Sequence, residues 1–411
     1  MRVRPVTPHN DTDLADGARA RRRLRILILF ASVGSGHQRA AEAVCEALRP
    51  LGDDVGEVSV VDTLQYTSAI LRRTFAQAYL QLVRSIPELW SYIYGRADDP
   101  IVQRKTYLVR SVIEKINSRD LLRYARRFHP DAIVCTHFLP LTVLTQTRRA
   151  AARRPAPPLF AVLTDFAAHA FWVSPQAYRY YVATDPARRW LIRRGVGSGR
   201  ISVMGIPLMP PFAQPLDRAL ARARLGLPAG RPLVVVMGGG TGYGSLEATV
   251  RSLREEMPEV VVFGLPGRNS KLAQRLLELR SAADPEGLQV PGFVHDMHTL
   301  LCAADLLVTK PGGVTCAEAL ACQLPMILTE PIPGHEERNS EFLLEGGAAV
   351  RLYDPLDSAH TVRTLLEHRP RIRRMRRRAA LLARPAAAES IARDLLETLH
   401  DEGAPDSAAR R

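Results

Sequence analysis

Residues 305–347 read DLLVTKPGGVTCAEALACQLPMILTEPIPGHEERNSEFLLEGG, and this stretch decides the fold. The apolar run at 305–309 has the length of a buried strand, and the Pro-Gly-Gly sequence at 311–313 ends it. Small and apolar residues at helical spacing follow over 314–321, and 325–328 is a second apolar run of strand length. The pattern predicts one strand–turn–helix–strand unit of a parallel α/β sheet.

The same stretch indicates a binding site. The turn leaves the backbone N–H groups of Gly313, Val314 and Thr315 free at a helix N-terminus, which favours an anion. Glu318 follows about one turn later, and we expect it to accept hydrogen bonds from a polyol beside that anion. Residues 333–339 are predicted as a loop that brings further polar side chains to the same sheet edge, where open α/β sheets bind ligands: His335, Glu336 and Asn339.

A phosphate at the turn, a ribose on Glu318 and a sugar on His335 and Glu336 would together form a nucleotide-sugar site. A Gly-Gly turn before a helix also occurs as a purely structural connection in many α/β proteins. The polar cluster favours the binding interpretation, because a structural loop has little need of His, Glu and Asn side chains together.

Length and composition restrict the class of protein. A chain of 411 residues predicts two domains, and 46% hydrophobic with 24% charged residues is typical of a globular protein. No apolar run approaches the ~20 residues needed to cross a bilayer, and we expect no secretory signal. Five cysteines without a CxxC spacing indicate reduced thiols in the cytoplasm. The net charge of +14 is compatible with nucleic acid, anionic lipid or nucleotide substrates.

The N-terminal part begins with a second βαβ pattern. A buried-type strand at 25–30 runs into Gly-Ser-Gly-His at 34–37, and a helix is predicted from Gln38. Arg39 stands where a dinucleotide-binding fingerprint needs its third small residue, so that class is excluded. His37 at the tip of the turn faces the expected cleft, which favours a functional role over a structural one.

Two basic segments indicate which kinds of partner the protein binds. Residues 64–118 interleave arginines with tyrosines and tryptophan in a helical pattern, which suits either a bilayer interface or ordinary packing on the first sheet. Residues 369–378 contain seven arginines but no aromatic interleaving, so a solvated or lipid-facing helix is favoured over a nucleic-acid site. An Asp-x-Asp sequence at 11–13 lies in a tail predicted to be disordered, and we assign it no metal.

Five motifs carry a family resemblance: Gly-Ser-Gly-His at 34–37; Thr164-Asp165-Phe166 with His169 and Trp172; Met-Gly-Ile-Pro at 204–207; Gly-Gly-Gly-Thr-Gly at 238–242; and the stretch from Thr309 to Asn339. With them the chain resembles the monogalactosyldiacylglycerol synthases and bacterial processive diacylglycerol glucosyltransferases. A more distant likeness is to the lipid-linked N-acetylglucosaminyltransferase of peptidoglycan synthesis. The resemblance implies an α/β chain of the GT-B fold, with two Rossmann-like domains facing a central cleft.

The expected domains follow from this fold. They are a disordered tail (1–23), an N-terminal acceptor- and membrane-binding domain (24–206), a proline-rich linker (207–215), a C-terminal UDP-sugar-binding domain (216–385), a terminal helix (386–402) and a second tail (403–411).

The resemblance also implies roles for individual residues. His37 would be the general base on the acceptor hydroxyl, and Asp165 is the second catalytic candidate. Donor-binding residues would be Gly240, Thr241, Phe293, Val294, Met297, Gly313, Val314, Thr315, Glu318, His335, Glu336 and Asn339. Acceptor-binding residues would be Gly36, His169 and Trp172. His335 replaces a glutamine that is usual in the family, and an imidazole cannot reproduce the donor–acceptor pair of an amide, so the sugar stays open.

The implied enzyme is an inverting transferase that moves glucose or galactose from its UDP-sugar to diacylglycerol. We expect a cytoplasmic protein, peripheral on the inner face of the cell membrane, attracted by anionic lipid and binding neither nucleic acid nor a metal cofactor. Two alternatives stay open: a polyprenyl-linked or other lipid acceptor, and a membrane-associated UDP-sugar sensor that does not depend on His37.

Overall fold

The computed structural model describes residues 23–66, 118–150, 156–214, 216–227, 230–238 and 245–403. Several predicted segments therefore lie outside the described residues: nearly all of the two tails, nearly all of the aromatic and basic segment at 64–118, and the glycine-rich turn at 239–244. Gly240 and Thr241 belong to that turn, so their expected contact with the donor stays a prediction.

The first domain is built on a parallel sheet of six strands in the order β2-β1-β3-β4-β5-β6. The strands are β1 (Leu24–Phe30), β2 (Val55–Asp62), β3 (Ala132–Cys135), β4 (Leu159–Val162), β5 (Ala177–Val182) and β6 (Ile201–Val203). Its described helices are α1 (Gly36–Leu48), α2 (Ser118–Phe128), α3 (Phe138–Ala150) and α4 (Asp185–Arg193). Helices cover both faces of β1, which explains why Ile26, Leu27, Ile28 and Leu29 are all fully buried in an unbroken apolar run.

The second domain has its own six-stranded parallel sheet, in the order β12-β11-β10-β7-β8-β9. The strands are β7 (Leu233–Met237), β8 (Val261–Leu265), β9 (Leu288–Gln289), β10 (Leu306–Thr309), β11 (Met326–Leu328) and β12 (Ala349–Arg351). The helices are α5 (Arg218–Arg224), α6 (Leu246–Glu256), α7 (Ser270–Glu278), α8 (Met297–Ala303), α9 (Gly313–Ala321), α10 (His335–Glu345), α11 (Ser358–Glu367), α12 (Arg369–Leu382) and α13 (Ala387–Gly403).

Strand order places one crevice in each domain. In the first domain the chain adds β2 on one side of β1 and β3 to β6 on the other, so the strand order reverses between β1 and β3. In the second domain the strand order reverses in the same way between β7 and β10. Ligands of doubly wound sheets bind beyond the carboxyl ends of the strands at such a reversal. His37 follows β1 and Gly313 follows β10, so each lies at the reversal point of its own sheet. The predicted architecture of two Rossmann-like domains, the GT-B fold, is confirmed.

The chain crosses between the domains twice, and the crossings touch at Gly205. Gly205 has φ +103°, and a Cβ added there would lie 2.4 Å from the Cβ of Arg384 on the returning chain. Only glycine allows both that backbone angle and that close approach. The returning segment ends in α13, whose apolar face packs against α1 and one face of the first sheet.

One predicted element is wrong. Residues 333–339 were expected to be a loop, but α10 already begins at His335. Gly334 turns the chain with φ +95°, and the Glu337 carboxylate accepts a hydrogen bond from the Gly334 N–H at 2.8 Å. This cap starts the helix early. His335, Glu336 and Asn339 are therefore held on a helix. Among the described residues, no helix combines the length and the apolar content needed to cross a membrane.

Candidate active site

His37 is held at the start of α1 by groups from the ends of β3 and β4. Its Nδ1 lies 2.9 Å from the backbone oxygen of Thr136 and 2.9 Å from the Thr164 hydroxyl oxygen. The Thr136 hydroxyl in turn donates to the backbone oxygen of His37 at 2.9 Å. A carbonyl oxygen can only accept, so Nδ1 carries the proton and Nε2 keeps its lone pair. The ring is therefore set in the tautomer that a general base requires.

Charge and burial set the protonation state of His37. Burial lowers the pKa of the imidazole below its usual value of 6.5; the negative charge of Asp165 and the hydrogen bond to Thr136 raise it, and His335 lowers it. The net direction is downward, so the ring is neutral at neutral pH and ready to accept a proton.

A wall of aromatic rings lies behind His37. The His137 ring meets His37 edge-on with centroids 4.4 Å apart, and Phe138 stacks on His137 at 4.3 Å. His169 and Trp172 continue the wall, 6.0 Å apart. Burial holds the pKa values of His137 and His169 well below 6.5. Trp172 is 1% exposed and His169 is 6% exposed, so these two residues, expected to bind the acceptor, form the inner wall of the site.

Asn339 joins the two domains at the site. Its amide nitrogen donates to Asp165 Oδ1 at 2.8 Å and to the Pro311 backbone oxygen at 3.1 Å, and its amide oxygen accepts from the Phe166 N–H at 2.9 Å. Both amide hydrogens are thus used within the protein. Asn339 is thereby fixed next to Asp165, and its expected contact with the donor sugar stays a prediction.

The two domains are in close contact at Gly313. A Cβ added to Gly313 would lie 2.0 Å from the backbone oxygen of Thr164, at the end of β4 in the other domain. A second contact lies beside it, because a Cβ at Gly36 would lie 3.4 Å from Val314 Cγ2. The N-termini of α1 and α9 therefore face each other across the domain boundary.

This arrangement favours an anion between the helices. Neither Ser35 nor Gly312 caps its helix with a side chain. The N–H groups of Gly313, Val314 and Thr315 have no hydrogen-bond acceptor among the described residues. Both helix dipoles direct their positive ends toward the same place. Sequence reasoning found the α9 half of this site; the α1 half depends on the packing of the domains.

Lys310 is a site residue that the sequence analysis missed. Its ammonium forms an ion pair with Glu336 Oε1, while Glu336 Oε2 accepts a hydrogen bond from the Ile332 N–H at 2.8 Å. Glu336 is 2% exposed, so the pair is buried beside the glycine turn. Each carboxylate oxygen has a second lone pair, and Glu336 can still accept from a sugar hydroxyl as expected. In the sequence, the position of Lys310 between β10 and the glycine turn is the feature that could have indicated this role.

Glu318 is buried on α9, one turn beyond the helix N-terminus. Burial raises the pKa of its carboxyl to about 7, against a partly opposing effect of Arg39. Its carboxyl oxygens have no hydrogen-bond partner among the described residues. A buried carboxyl with unused acceptors gains hydrogen bonds from a diol, as the ribose prediction requires.

The residues expected to frame the uracil lie before and at the start of α8. Phe293 is 59% exposed and meets His295 edge-on at 5.0 Å. Val294 and Met297 are half-buried against the core of the second domain. An exposed ring beside two anchored apolar side chains provides a surface on which a planar base can stack.

Comparisons with known proteins agree with this geometry. Residues 37–208 match the family model of monogalactosyldiacylglycerol (MGDG) synthase, and residues 221–382 match that of glycosyl transferases group 1. A Bacillus pumilus (strain SAFR-032) protein named processive diacylglycerol beta-glucosyltransferase is 28% identical over 376 residues, 91% of this chain and 94% of that protein. A Bacillus subtilis (strain 168) protein of the same name is 28% identical over 375 residues, 91% and 95% of the two chains.

Among solved structures, MurG of Acinetobacter baumannii shares the fold with a TM-score of 0.59 and 17% identity. The match covers 91% of this chain and 99% of MurG. Both halves of the chain thus match glycosyltransferase families, and the fold is the one observed here. The chain is a glycosyltransferase of the GT-B fold, in which residues 37–208 are similar to the MGDG synthase family and residues 221–382 to glycosyl transferases group 1.

Proposed function

We propose that this glycosyltransferase moves a hexose from a UDP-sugar to the hydroxyl of diacylglycerol or a related glycolipid, with inversion, at a membrane surface. The observation that carries the proposal is the His37 imidazole. It is fixed with Nε2 unprotonated, kept neutral by burial, and set at the boundary where two helix N-termini meet. A base on one domain and an anion site on the other are the two parts that sugar transfer from a nucleotide requires.

The donor is assigned to the second domain. The free N–H groups at the start of α9 would bind the diphosphate, and Glu318 the ribose hydroxyls. Phe293 and its neighbours would hold the uracil, while Glu336, steadied by Lys310, would accept from the sugar hydroxyls. His335, on the first turn of α10, interacts electrostatically with His37. Its expected contact with the donor sugar would therefore bring that sugar near the His37 imidazole.

The reaction follows from these positions. The acceptor hydroxyl gives its proton to His37 Nε2 as its oxygen bonds to the anomeric carbon of the sugar. The bond from that carbon to the UDP oxygen breaks, and its electron pair leaves on the β-phosphate. The resulting imidazolium is stabilised by Asp165, and the leaving charge by the α9 amides and Lys310, so the reacting centre needs no metal. A single displacement converts an α-linked donor into a β-glycoside.

The acceptor is inferred from the relatives and from composition. Relatives that cover nine-tenths of the chain are named diacylglycerol glucosyltransferases. The basic and aromatic composition of residues 64–118 suits a peripheral contact with anionic lipid at the bilayer interface.

The test is UDP release from UDP-glucose and UDP-galactose on diacylglycerol vesicles containing anionic lipid, for wild type and His37→Ala. We expect lipid-dependent release with one donor, reduced ~10²–10⁴-fold in the variant because the proton has no acceptor. His400→Ala is the matched control, since this histidine lies on α13 and pairs with Asp54 at the surface. The anomeric configuration of the product, read by NMR, tests inversion.

Other outcomes distinguish the rival functions. The protein could bind UDP and release none on diacylglycerol, yet release UDP on a polyprenyl-phosphate-linked acceptor. That result would show that the assigned acceptor is wrong and would leave His37 as the proposed general base. UDP-sugar binding without release on any lipid, unchanged in His37→Ala, would identify a sensor. Release that survives the loss of His37 would contradict the catalytic assignment.

A further inference from the structure

A cluster of metal-binding side chains lies in the second domain, outside the site described above. His298 and Cys302 stand four residues apart on one face of α8, and Cys322 is the residue at the C-terminal end of α9. A ring nitrogen of His298 and the sulfurs of both cysteines lie within 4.8 Å of one another. The glycine turn is at the opposite end of α9, so the cluster does not belong to the anion site.

The spacing of these atoms fits a single metal ion. Tetrahedral Zn²⁺ holds thiolate sulfur at about 2.3 Å and imidazole nitrogen at about 2.1 Å, which puts two bound sulfurs about 3.8 Å apart. The three side chains need only small rotations to reach that geometry from separations of up to 4.8 Å. Two sulfurs and one imidazole are a soft donor set, typical of zinc rather than of magnesium or calcium.

An aromatic side chain packs against the histidine. The Phe212 ring meets the His298 imidazole edge-on, with ring centroids 5.1 Å apart. This contact restricts the orientation of the imidazole beside the two sulfurs.

The cluster is open to solvent on one side. Cys302 is buried while His298 and Cys322 are partly exposed, so an ion has a route from solvent.

We propose that His298, Cys302 and Cys322 bind one Zn²⁺ ion, with the fourth coordination position open to water. Binding forms two zinc–sulfur bonds and one zinc–nitrogen bond. The protons of both thiols pass to solvent, and no atom is oxidised or reduced. The ion links α8 to α9, two helices that pack against each other. It therefore stabilises the second domain.

The test is a Co²⁺ titration of the full chain, stripped of metal and kept reduced. We expect thiolate-to-cobalt charge-transfer absorption that saturates at one equivalent and is displaced by Zn²⁺, together with a higher melting temperature. Cys302→Ser, Cys322→Ser and His298→Gln should each lose the stoichiometric binding. The controls are Cys45→Ser, a partly exposed thiol, and His295→Gln, an exposed imidazole three residues from His298; both should keep it.

A second measurement needs no variant. In the wild-type chain, Zn²⁺ should protect Cys302 and Cys322 from alkylation and leave Cys45 reactive, as read by peptide mass spectrometry. Three results would overturn the proposal: no charge-transfer absorption while both thiols are free, binding that survives both serine variants, or a Cys302–Cys322 disulfide that forms in place of metal binding.

Discussion

The protonation of His37 is set by residues far from it in the chain. The carbonyl that fixes its tautomer belongs to Thr136, 99 residues away, and the Thr164 hydroxyl is 127 residues away. Asp165 supplies negative charge from the same strand end as Thr164. A histidine in a glycine turn could be recognised as functional from the sequence, but its tautomer and the direction of its pKa depend on three strand ends meeting.

A pH profile tests the role of His37. Its pKa lies below 6.5, and the base acts only when unprotonated. The value of kcat/KM is therefore expected to rise with pH through an apparent pKa below 6.5 and to level off near neutrality. Asp165→Asn removes a charge that raises this pKa, so the midpoint should move to lower pH and the plateau should fall, because the imidazolium loses its counter-charge.

The measurement is UDP release at saturating lipid from about pH 5 to about pH 8, the range in which histidines titrate. Asp120→Asn serves as the control, because that carboxylate pairs with Arg123 on the exposed face of α2. A midpoint above 6.5, or one that Asp165→Asn moves to higher pH, would count against His37 as the base.

At the scale of elements, the start of α9 decides how closely the domains meet. Gly313 is buried against the backbone of Thr164 and Asp165, and no side chain fits between them. The sequence explains this glycine as a turn residue before an anion-binding helix. The structure adds a second reason, the approach of another domain, and φ at Gly313 does not itself require glycine.

Gly313→Ala tests that approach. The added methyl would have to move the backbone of one domain by about 1 Å or more, and misplacement of that size can reduce catalysis about 100-fold. We expect kcat/KM to fall by that order while each domain stays folded, as shown by circular dichroism. Gly199→Ala adds the same methyl where nothing lies within 4 Å, and should leave activity unchanged. Wild-type activity in Gly313→Ala would show that the contact is not required.

At the scale of the whole molecule, the end of the chain completes the first domain. The Asp394 carboxylate on α13 accepts a hydrogen bond from the Tyr181 hydroxyl at 2.7 Å and pairs with Arg179 at 2.9 Å. Burial and Asp394 raise the pKa of Tyr181, so its hydroxyl stays protonated as the donor. A helix from one end of the sequence thereby ties the second domain to the sheet of the first.

Asp394→Ala tests that tie. It removes the acceptor of the Tyr181 hydroxyl and one of the partners of Arg179, which also donates to Ser202 and Thr398. The loss of a buried hydrogen-bond partner costs about 1–3 kcal/mol. At roughly 2–4 °C per kcal/mol for a domain of this size, the first thermal transition should fall by several degrees in calorimetry. Asp120→Ala, which breaks an exposed pair within α2, should change it by less than ~1 °C. Equal shifts in the two variants would contradict the structural role of α13.

The sequence alone predicted most of the strands, the two Rossmann-like sheets and the glycine turns before α1 and α9. Those features are local: buried parallel strands are unbroken apolar runs, and a turn before a helix needs glycine whatever surrounds it. The sequence also identifies candidate site residues in or next to these turns, because the turns are local features: His37, Glu318 and the turn at Gly313. The start of α10 was missed because its cap depends on a backbone angle at Gly334 that composition does not reveal.

Only the tertiary structure decided the contacts between groups distant in the chain. Asn339 donates to Asp165, 174 residues away in the other domain, and to the Pro311 backbone oxygen in its own domain, a pairing that the sequence does not reveal. Trp172 was expected at the acceptor and lies within the wall of the site. In the same way, only the folded structure brings Lys310 to Glu336 and His298 to the two cysteines. Hydrogen bonds and charges act over a few ångströms, and only folding brings such residues that close.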